Sequence, residues 1–485
     1  MKKYISLILA AALLSASLTA CGGSSDVKPA GDTAPQDVPE IDAAETADPN
    51  PDNLPEMDFS GKVFQMYCRS CCASHKDGMW QAEATGDIVS DAVYERNKKV
   101  EERFNVVIAE PKLSDGEDTS VITNALLAGD CMADVIVPHF RFLGDMVLKQ
   151  LMYDMAKLEY LDFSRPWWNT KLINNYSIFG RSFVAYGNLD VENTTEASTI
   201  LFNKKLKADY LPDDNYYSDV KSGKWTIDRM NEVVHSFGAD INGDGAIDAD
   251  NDLFALSGNA GYMFLYQVAM DQPTTRPNED GEPELCINTE KMATIVQKMY
   301  NMVCEYEFSK VDNDTSEGLF INGRSLFTTT KLNVCIGQAL RRMEDDYGIL
   351  PLPKYDEQQT EYYSHGGAHS NMIGIPAIEP DLEFVSIILE AMCAEGYKII
   401  QPAVYDVALK QKGARDDDSG EMIDIICSGR TGDFADLYDE WGLVYTLDNM
   451  IGRQKKDNFA SYYKSNEKAS VKRLQNAVDL FKEMP

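Results

Sequence analysis

The stretch IVSDAVYERNKKVEERFNVVIA, residues 88–109, decides the fold class, because a helical pattern runs directly into a strand pattern. Val93, Val100 and Phe104 recur at helical spacing and predict a helix over residues 88–104 with one apolar face. Val106 opens a short apolar run, residues 106–109, that predicts a strand. A helix followed at once by an apolar strand is typical of α/β proteins.

The same alternation continues on both sides of this stretch. Residues 62–67 predict a strand, residues 120–127 a second helix, and residues 133–137 a short and fully apolar strand. This order predicts an α/β body with a mostly parallel sheet. Folds of this class bind ligands beyond the carboxyl ends of their strands, so the residues that follow strands are the first candidates for a site.

The first 20 residues have the layout of a secretory signal peptide. Lys2 and Lys3 precede an apolar run over residues 5–18, which is shorter than the about 20 residues that a membrane-spanning helix needs. The sequence Leu-Thr-Ala-Cys at residues 18–21 resembles a bacterial lipobox. We expect cleavage before Cys21, acylation of that cysteine and anchoring at the outer face of the cell membrane. An ordinary signal peptide with a chance cysteine is the alternative.

Residues 21–57 differ in composition from the rest of the chain. No aromatic residue occurs from residue 22 to residue 54, and proline recurs there among Asp, Glu, Ala, Ser and Thr. Such a segment buries too little apolar surface to offset the entropy lost on ordering, so we expect a disordered acidic tether. The chain beyond it is too long for one compact core and predicts two lobes.

The charge balance excludes two classes of partner. The chain has 78 acidic and 45 basic side chains and a formal net charge of −33. An acidic surface repels nucleic acid and anionic lipid headgroups. We therefore expect no nucleic-acid partner, and contact with the membrane only through the lipid anchor.

The cysteines predict mostly buried free thiols. Of the 10 cysteines, nine follow Cys21, an odd number that cannot pair completely within one chain. Most lie inside apolar segments, where a thiol behaves as a small hydrophobic group. The spacing of Cys68, Cys71 and Cys72 is also compatible with metal binding, but no second cysteine pair or histidine cluster completes a zinc site. A disulfide or idle thiols are favoured there.

Short segments spread along the chain together resemble one family. They include residues 86–88, 92–97 and 100–106, and further segments at residues 133–136, 166–169, 201–206, 224–226, 320–324, 347–353, 374–376 and 419–422. In this order they are similar to sugar-type extracellular solute-binding proteins of bacterial ABC importers. Each segment is a weak match, whereas the ordered set beside a lipobox is specific.

The resemblance implies a two-lobed, maltose-binding-like fold of the periplasmic-binding-protein type. Each lobe would be a mostly parallel sheet flanked by helices, with a hinge and a ligand cleft between the lobes. The expected N-terminal lobe comprises residues 58–203 and 367–415, and the expected C-terminal lobe residues 204–366 and 416–485. A monomer would close over its ligand and then dock on a membrane permease.

A carbohydrate ligand follows from the same resemblance, and the size of the body and its aromatic content favour an oligosaccharide over a single sugar. Sugars present an apolar face to aromatic rings and a rim of hydroxyl groups to polar side chains. The candidates are aromatic or polar residues, several of them after strands: Trp80, His139, Arg141, Trp167, Tyr262, Tyr363, His365 and Trp441. Each aromatic residue has a structural role as its alternative, and Trp225 is expected to pack at the start of a helix, as its equivalent does in the family.

The loop over residues 240–252 is similar to the first part of an EF-hand calcium loop. Its oxygen ligands would be the side chains of Asp240, Asn242, Asp244 and Asp248 and the carbonyl of Ala246. Position 12 is Asn251 instead of a bidentate acid, and Asp252 follows it. We expect a structural Ca²⁺ ion completed by Asp252 or another acid, with a metal-free acidic turn as the alternative.

Other functions find less support in the sequence. The pair His365 and His369, separated by two glycines and an alanine, predicts a flexible loop better than a metal pair. The common metalloprotease, serine hydrolase and phosphate-binding loop motifs are absent. We expect a carrier and not an enzyme. The alternatives are a receptor for peptides or other polar solutes and a surface carbohydrate-active enzyme, in which a carboxylate pair needs no fixed motif.

Overall fold

The computed structural model describes residues 48, 50–70, 76–116, 118–313, 316–366, 371–414, 416–439 and 442–484. The expected signal peptide, Cys21, nearly all of the tether before residue 50, Cys71, Cys72 and Trp441 lie outside these residues. The chain divides into two units, Met1–Pro51 and Asp52–Pro485, and the fold below is that of the second unit.

The helix and strand predicted over residues 88–109 are confirmed. The helix Ile88–Phe104 begins after Asp87, whose carboxylate accepts hydrogen bonds from the backbone N–H groups of Val89 and Ser90. It ends at Asn105, which takes the left-handed conformation with φ 48°. The next strand, Val106–Ile108, follows directly. Local capping at both ends therefore fixes this part of the fold.

The predicted strand over residues 62–67 is two strands that belong to two sheets. Lys62–Phe64 pairs in parallel with Val106–Ile108, whereas Met66–Cys68 pairs in parallel with both Val135–Val137 and Lys112–Leu113. Gln65 lies between them, and its backbone N–H donates to the Asp134 carboxylate at 2.6 Å. The chain thus changes sheets within one residue.

A five-stranded sheet is formed by strands that lie between residues 198 and 350. The strands in chain order are β1 Lys62–Phe64, β2 Met66–Cys68, β3 Val106–Ile108, β4 Lys112–Leu113, β5 Val135–Val137, β6 Ser198–Asn203, β7 Phe254–Asn259, β8 Thr275–Pro277, β9 Pro283–Leu285, β10 Ser309–Asp312, β11 Ser325–Lys331, β12 Tyr347–Leu350, β13 Ser364–His365 and β14 Arg430–Thr431. The strand order of the five-stranded sheet is β10-β7-β11-β6-β12. Strands β10, β7 and β11 run parallel, and β6 runs antiparallel to β11 and β12. Further pairs join Thr275–Pro277 to Pro283–Leu285 and Ser364–His365 to Arg430–Thr431. Parallel pairs predominate, as the sequence predicted.

Helices pack against the strands of these sheets. The α-helices in chain order are Ile88–Phe104, Ser120–Leu127, Phe140–Leu148, Thr170–Tyr176, Val191–Thr195, Lys204–Tyr210, Tyr216–Lys221, Ile227–Ser236, Phe264–Ala269, Glu290–Tyr300, Ser316–Ile321, Asn333–Ile336, Gln338–Arg341, Leu382–Glu395, Asp417–Ser428, Phe434–Tyr438 and Phe459–Glu483. Single 3₁₀ turns are Met155–Lys157, Ala260–Tyr262 and Leu443–Tyr445, and π-helical segments are Asn301–Glu305, Gly396–Ile400, Ala403–Gly413 and Asp448–Gln454. Across the described residues, none of the helices combines the length and apolar composition needed to cross a membrane.

Two large hydrophobic cores are formed by different parts of the chain. The first core gathers residues before residue 190 together with parts of residues 372–394 and 434–481, and the second gathers most apolar residues between 200 and 362. The C-terminal segment contributes to both cores, since Phe434 and Phe481 pack in the first and Leu447 and Phe459 in the second. The lobe boundaries given above stay a prediction. Cys131, Cys286, Cys304, Cys335, Cys393 and Cys427 are free thiols. Among the described cysteines, Cys68, Cys335 and Cys393 are buried and the other four are partly buried, so the expectation of mostly buried thiols is met only in part.

Candidate functional site

The first side of the candidate site lies at the carboxyl end of the strand Met66–Cys68. Arg69 follows this strand and is only 4% exposed. Its Nε donates to the side-chain oxygen of Asn371 at 3.0 Å, and its Nη2 lies 3.4 Å from a carboxylate oxygen of Glu192. A buried guanidinium is therefore held by partners that are more than 100 positions away in the chain.

The short helix Val191–Thr195 brings two more carboxylates to the same place. Asp190 caps this helix by accepting a hydrogen bond from the Asn193 N–H at 2.7 Å. The amide of Asn371 donates to Asp190 at 2.6 Å and to Glu192 at 3.2 Å. Burial, together with the negative charge of Glu192, raises the pKa of Asp190 to about 7. Asp190 is therefore poised to bind a proton near neutral pH.

The second side of the site lies at the carboxyl end of β11. Lys331 is the last residue of this strand, and its Nζ contacts the two carboxylate oxygens of Glu196 at 2.9 and 3.2 Å. The same ammonium lies 5.7 Å from the centre of the Tyr262 ring, which follows β7. Burial raises the pKa of Glu196 against the opposing effect of Lys331. Burial lowers the pKa of Lys331, but the effects of Glu196, Tyr262 and Glu192 together outweigh it, and the net pKa is raised.

These residues form one group, the charged cluster, which consists of Arg69, Asp190, Glu192, Glu196, Lys331 and Asn371. All six are less than 10% exposed. Three carboxylates face two cations and one amide, so the cluster offers paired hydrogen-bond donors and acceptors in a place with little water. Such a set can bind the hydroxyl groups of a polar ligand and discriminate against ligands that leave a buried group unpaired.

Two of the residues predicted from the sequence adjoin the charged cluster. His139 is buried and forms an isolated β-bridge with Asn371, and it caps the helix Phe140–Leu148. Tyr262 lies beside Lys331, as described above. His139 follows a predicted strand, which is the feature that had selected it, whereas Tyr262 follows β7, a strand that had not been predicted.

The other predicted residues have different surroundings. The Trp80 indole N–H donates to the Ile108 carbonyl at 3.0 Å, and the guanidinium of Arg141 stacks on Phe142 at 4.9 Å. Trp167 is fully buried, and its indole N–H donates to Glu390 at 2.9 Å.

His365 belongs to the two-residue strand Ser364–His365, which pairs with Arg430–Thr431, and Tyr363 directly precedes it. Lys171 lies 5.0 Å above the Tyr363 ring, and His365 Nε2 lies 3.1 Å from Asp436. Trp441 lies outside the described residues. The roles of these residues in ligand binding stay predictions.

All six members of the charged cluster were missed by sequence reasoning. Arg69 had a usable signal, because it directly follows a predicted strand, but attention there went to the cysteines. Lys331 ends a strand that had not been predicted. The chain has 78 acidic residues, and no sequence pattern distinguishes Asp190, Glu192 and Glu196 from the others. Only the fold brings these three together.

The predicted calcium loop is a tight, hydrogen-bonded turn. Asp240 accepts from the N–H groups of Gly243 at 2.7 Å and Gly245 at 2.9 Å, and Asp252 accepts from those of Ile241 at 3.1 Å and Asp248 at 2.8 Å. Within the described part of the chain, no three His, Cys, Asp or Glu side chains form a group suited to a metal ion. Calcium binding stays a prediction.

Comparison with known proteins identifies the fold. No known family model matches the chain, and no curated protein matches it. A solved structure of UgpB from Mycobacterium tuberculosis in complex with glycerophosphocholine is similar, with a TM-score of 0.54 over 86% of this chain and 98% of UgpB. The chain has a periplasmic-binding-protein-like fold. At 16% identity the likeness shows the fold alone, and the fold agrees with the resemblance seen in the sequence.

Proposed function

We propose that the chain is the substrate-binding lipoprotein of an ABC importer, which captures a carbohydrate between its two lobes and delivers it to a membrane permease. The observation that supports this proposal is the charged cluster. It lies where the carboxyl ends of strands from both sheet regions meet, and this is the position at which α/β folds bind ligands. A ligand that contacts Arg69 on one side and Lys331 on the other stabilises a closed arrangement.

The chemistry of the cluster suits an uncharged, hydroxyl-rich ligand. Glu192 and Glu196 accept hydrogen bonds from sugar hydroxyls, and Arg69, Lys331 and Asn371 donate to them. Tyr262 supplies an aromatic face next to the cluster. With Asp190 protonated, the two carboxylates of Glu192 and Glu196 balance the two cations of Arg69 and Lys331, so a neutral ligand adds no unpaired buried charge.

A binding screen on the purified full-length chain tests this proposal. Monosaccharides and oligosaccharides are compared by thermal shift and calorimetry, and glycerophosphocholine is included because the similar UgpB structure contains it. A ligand at 100 times its dissociation constant stabilises the folded chain by about 2.7 kcal/mol. We expect one glycan series to bind and Glu192→Gln to weaken it at least tenfold.

The matched control is Glu232→Gln, since Glu232 is 72% exposed. It is expected to leave the affinity unchanged. Binding by peptides and not by glycans would favour the first alternative, a receptor for other polar solutes. Breakdown of a bound glycan during incubation would favour the second, a surface carbohydrate-active enzyme. Equal affinity of the wild type and Glu192→Gln would remove the charged cluster from the binding site.

The anchor, the location and the metal are parts of the same proposal. We propose acylation of Cys21 after removal of residues 1–20, so that Cys21→Ala releases the protein from the membrane fraction and abolishes labelling by a fatty acid. We also propose that the protein is a monomer and that the loop over residues 240–252 binds Ca²⁺. Calcium is then expected to raise the melting temperature of the wild type but not that of Asp240→Asn.

A further inference from the structure

One region near the C-terminus has a charge opposite to that of the whole chain. Residues 453–473 contain seven basic and two acidic side chains, whereas the formal net charge of the chain is −33. The region joins the π-helical segment Asp448–Gln454 to the long helix Phe459–Glu483. The overall acidity therefore conceals one basic surface.

Five lysines of this region are exposed and form no ion pair with a described residue. They are Lys455, Lys456, Lys464, Lys468 and Lys472. The acids of the region are Asp457, which is exposed, and Glu467, which accepts a hydrogen bond from the Tyr463 hydroxyl at 2.8 Å. Arg473 is paired with Asp439 at 2.6 Å. Five unpaired ammonium groups beside two exposed acids leave a positive potential at this surface.

The helix arranges three of the lysines in a row. Lys464, Lys468 and Lys472 are four positions apart, so they lie on one helix face, over a length of about 12 Å. Val471 adjoins the same row, three positions after Lys468, and is 47% exposed. An apolar side chain thus projects among the cations. We call these five lysines and Val471 the basic face.

A polar cavity adjoins the row of lysines. Its volume is about 560 Å³, and its walls include Lys456, Ser461, Ser465 and the amide of Gln454. Ser461 and Ser465 each lie three positions before a lysine of the row, and residues at this spacing are neighbours on a helix. Ammonium, amide and hydroxyl groups can all donate to phosphate oxygens, and the cavity is large enough for one small polar headgroup.

The combination of cations and an exposed apolar residue fits an anionic lipid surface. Lipid phosphates attract lysines, and the acyl boundary beneath them accepts an apolar side chain. Nucleic acid offers phosphates but no apolar layer for Val471. Salt screens charges that lie more than about 8 Å away at physiological ionic strength, so the acids elsewhere on the chain do not cancel the local attraction.

We propose that the basic face docks on an anionic lipid surface, with its lysines at the phosphates, Val471 at the acyl boundary and one headgroup in the adjoining cavity. This contact is additional to the anchor proposed at Cys21 and independent of the carbohydrate site. It revises the expectation, drawn from net charge, that the membrane is contacted only through the anchor.

Co-sedimentation of the full-length chain with vesicles tests the proposal. All proteins have Cys21→Ala, so that no acyl chain contributes. We expect binding to vesicles of phosphatidylglycerol and phosphatidylcholine in equal parts, and at least tenfold weaker binding to phosphatidylcholine alone. Each lysine near an anionic surface raises the affinity about fivefold. The triple variant Lys464→Gln, Lys468→Gln and Lys472→Gln is therefore expected to bind on the order of 100-fold more weakly.

The matched control is Lys98→Gln, Lys149→Gln and Lys205→Gln. These side chains are 48%, 45% and 61% exposed, and each is paired with an acid. The control changes the net charge by the same amount, so it is expected to bind the anionic vesicles as the parent protein does. Both triple variants are expected to keep the unfolding free energy of the parent in urea, because exposed lysines contribute little to it.

Val471→Ser separates a lipid surface from other polyanions. We expect it to weaken vesicle binding severalfold, because Val471 loses its apolar contact, and to leave the affinity for a DNA duplex unchanged. Equal binding to the two kinds of vesicle, equal loss in the two triple variants, or tighter binding of DNA than of anionic vesicles would each overturn the proposal. Carbohydrate affinity is expected to be the same in all of these variants, so failure of the carbohydrate proposal is seen separately, with Glu192→Gln.

Discussion

The buried ion pair between Lys331 and Glu196 gives the sharpest test of the charged cluster. The Lys331 side chain is 9% exposed and that of Glu196 1%, and Nζ lies 2.9 Å from the nearer carboxylate oxygen. Lys331→Met retains most of the side-chain volume but leaves the carboxylate buried without its cation. Removal of one partner from a buried pair typically costs about 3–5 kcal/mol. The nearby charge of Glu192 adds to the penalty, because it already disfavours ionisation of Glu196.

Urea unfolding followed by tryptophan fluorescence measures this cost. We expect Lys331→Met to lower the unfolding free energy by about 3–5 kcal/mol at pH 7.5, with an unchanged m-value. The double variant Lys331→Met with Glu196→Gln leaves no buried charge and is expected to be more stable than Lys331→Met alone. Acidification is expected to reduce the penalty of the single variant. A carboxyl group with a raised folded-state pKa stabilises the protein below its unfolded pKa, and this stability is lost as the pH rises through the folded pKa.

The control is an exposed pair at similar distance. Lys149 Nζ lies 2.6 Å from Asp145, and the side chains are 45% and 50% exposed. Lys149→Met is expected to cost about 0.5 kcal/mol or less. If Lys331→Met costs no more than Lys149→Met, or if Glu196→Gln fails to rescue it, then the pair is not a buried ionic contact and the description of the charged cluster is wrong.

Two further predictions concern packing and buried charge. A Cβ atom on Gly144 would lie 2.1 Å from the Leu437 carbonyl oxygen, so Gly144→Ala is expected to destabilise the fold by about 1–3 kcal/mol in urea unfolding. Gly420, which is helical and has open space, is the control, and Gly420→Ala should stabilise by about 0.4–1 kcal/mol. Burial raises the pKa of Asp448 to about 7, so its ionisation costs stability as the pH rises through that value. Relative to the wild type, Asp448→Asn should therefore gain stability from pH 5 to pH 8; a constant difference would contradict the assignment.

Local patterns of the sequence predicted the local structure well. The helix Ile88–Phe104 has its apolar spacing and its cap at Asp87 within one short segment, and the helix Ser120–Leu127 was predicted with the same boundaries. Trp225 was expected at a helix start. It is fully buried, donates to the Pro351 carbonyl at 2.9 Å and precedes the helix Ile227–Ser236. At the two helices, residues that are close in the chain determine one another's conformation, whereas the partner of Trp225 lies 126 positions further along the chain.

Predictions that needed distant contacts were less complete. Residues 62–67 gave one strand signal, but the structure has two strands because each pairs with a different partner. Trp167 has the chemistry of a sugar-stacking residue, yet its indole N–H donates to Glu390, 223 positions further along the chain. Periodicity reports which residues are apolar, and it does not report which of them end up beneath other elements.

The sequence by itself determined the class of protein: an α/β body with a mostly parallel sheet, and a set of ordered segments that resemble solute-binding proteins. Only the tertiary structure decided which polar residues meet. Arg69 and Asn371 are 302 positions apart, and Glu196 and Lys331 are 135 apart. The physical reason is that pairing of buried charges depends on which strand ends face each other, and that is set by sheet order and core packing instead of by any local pattern.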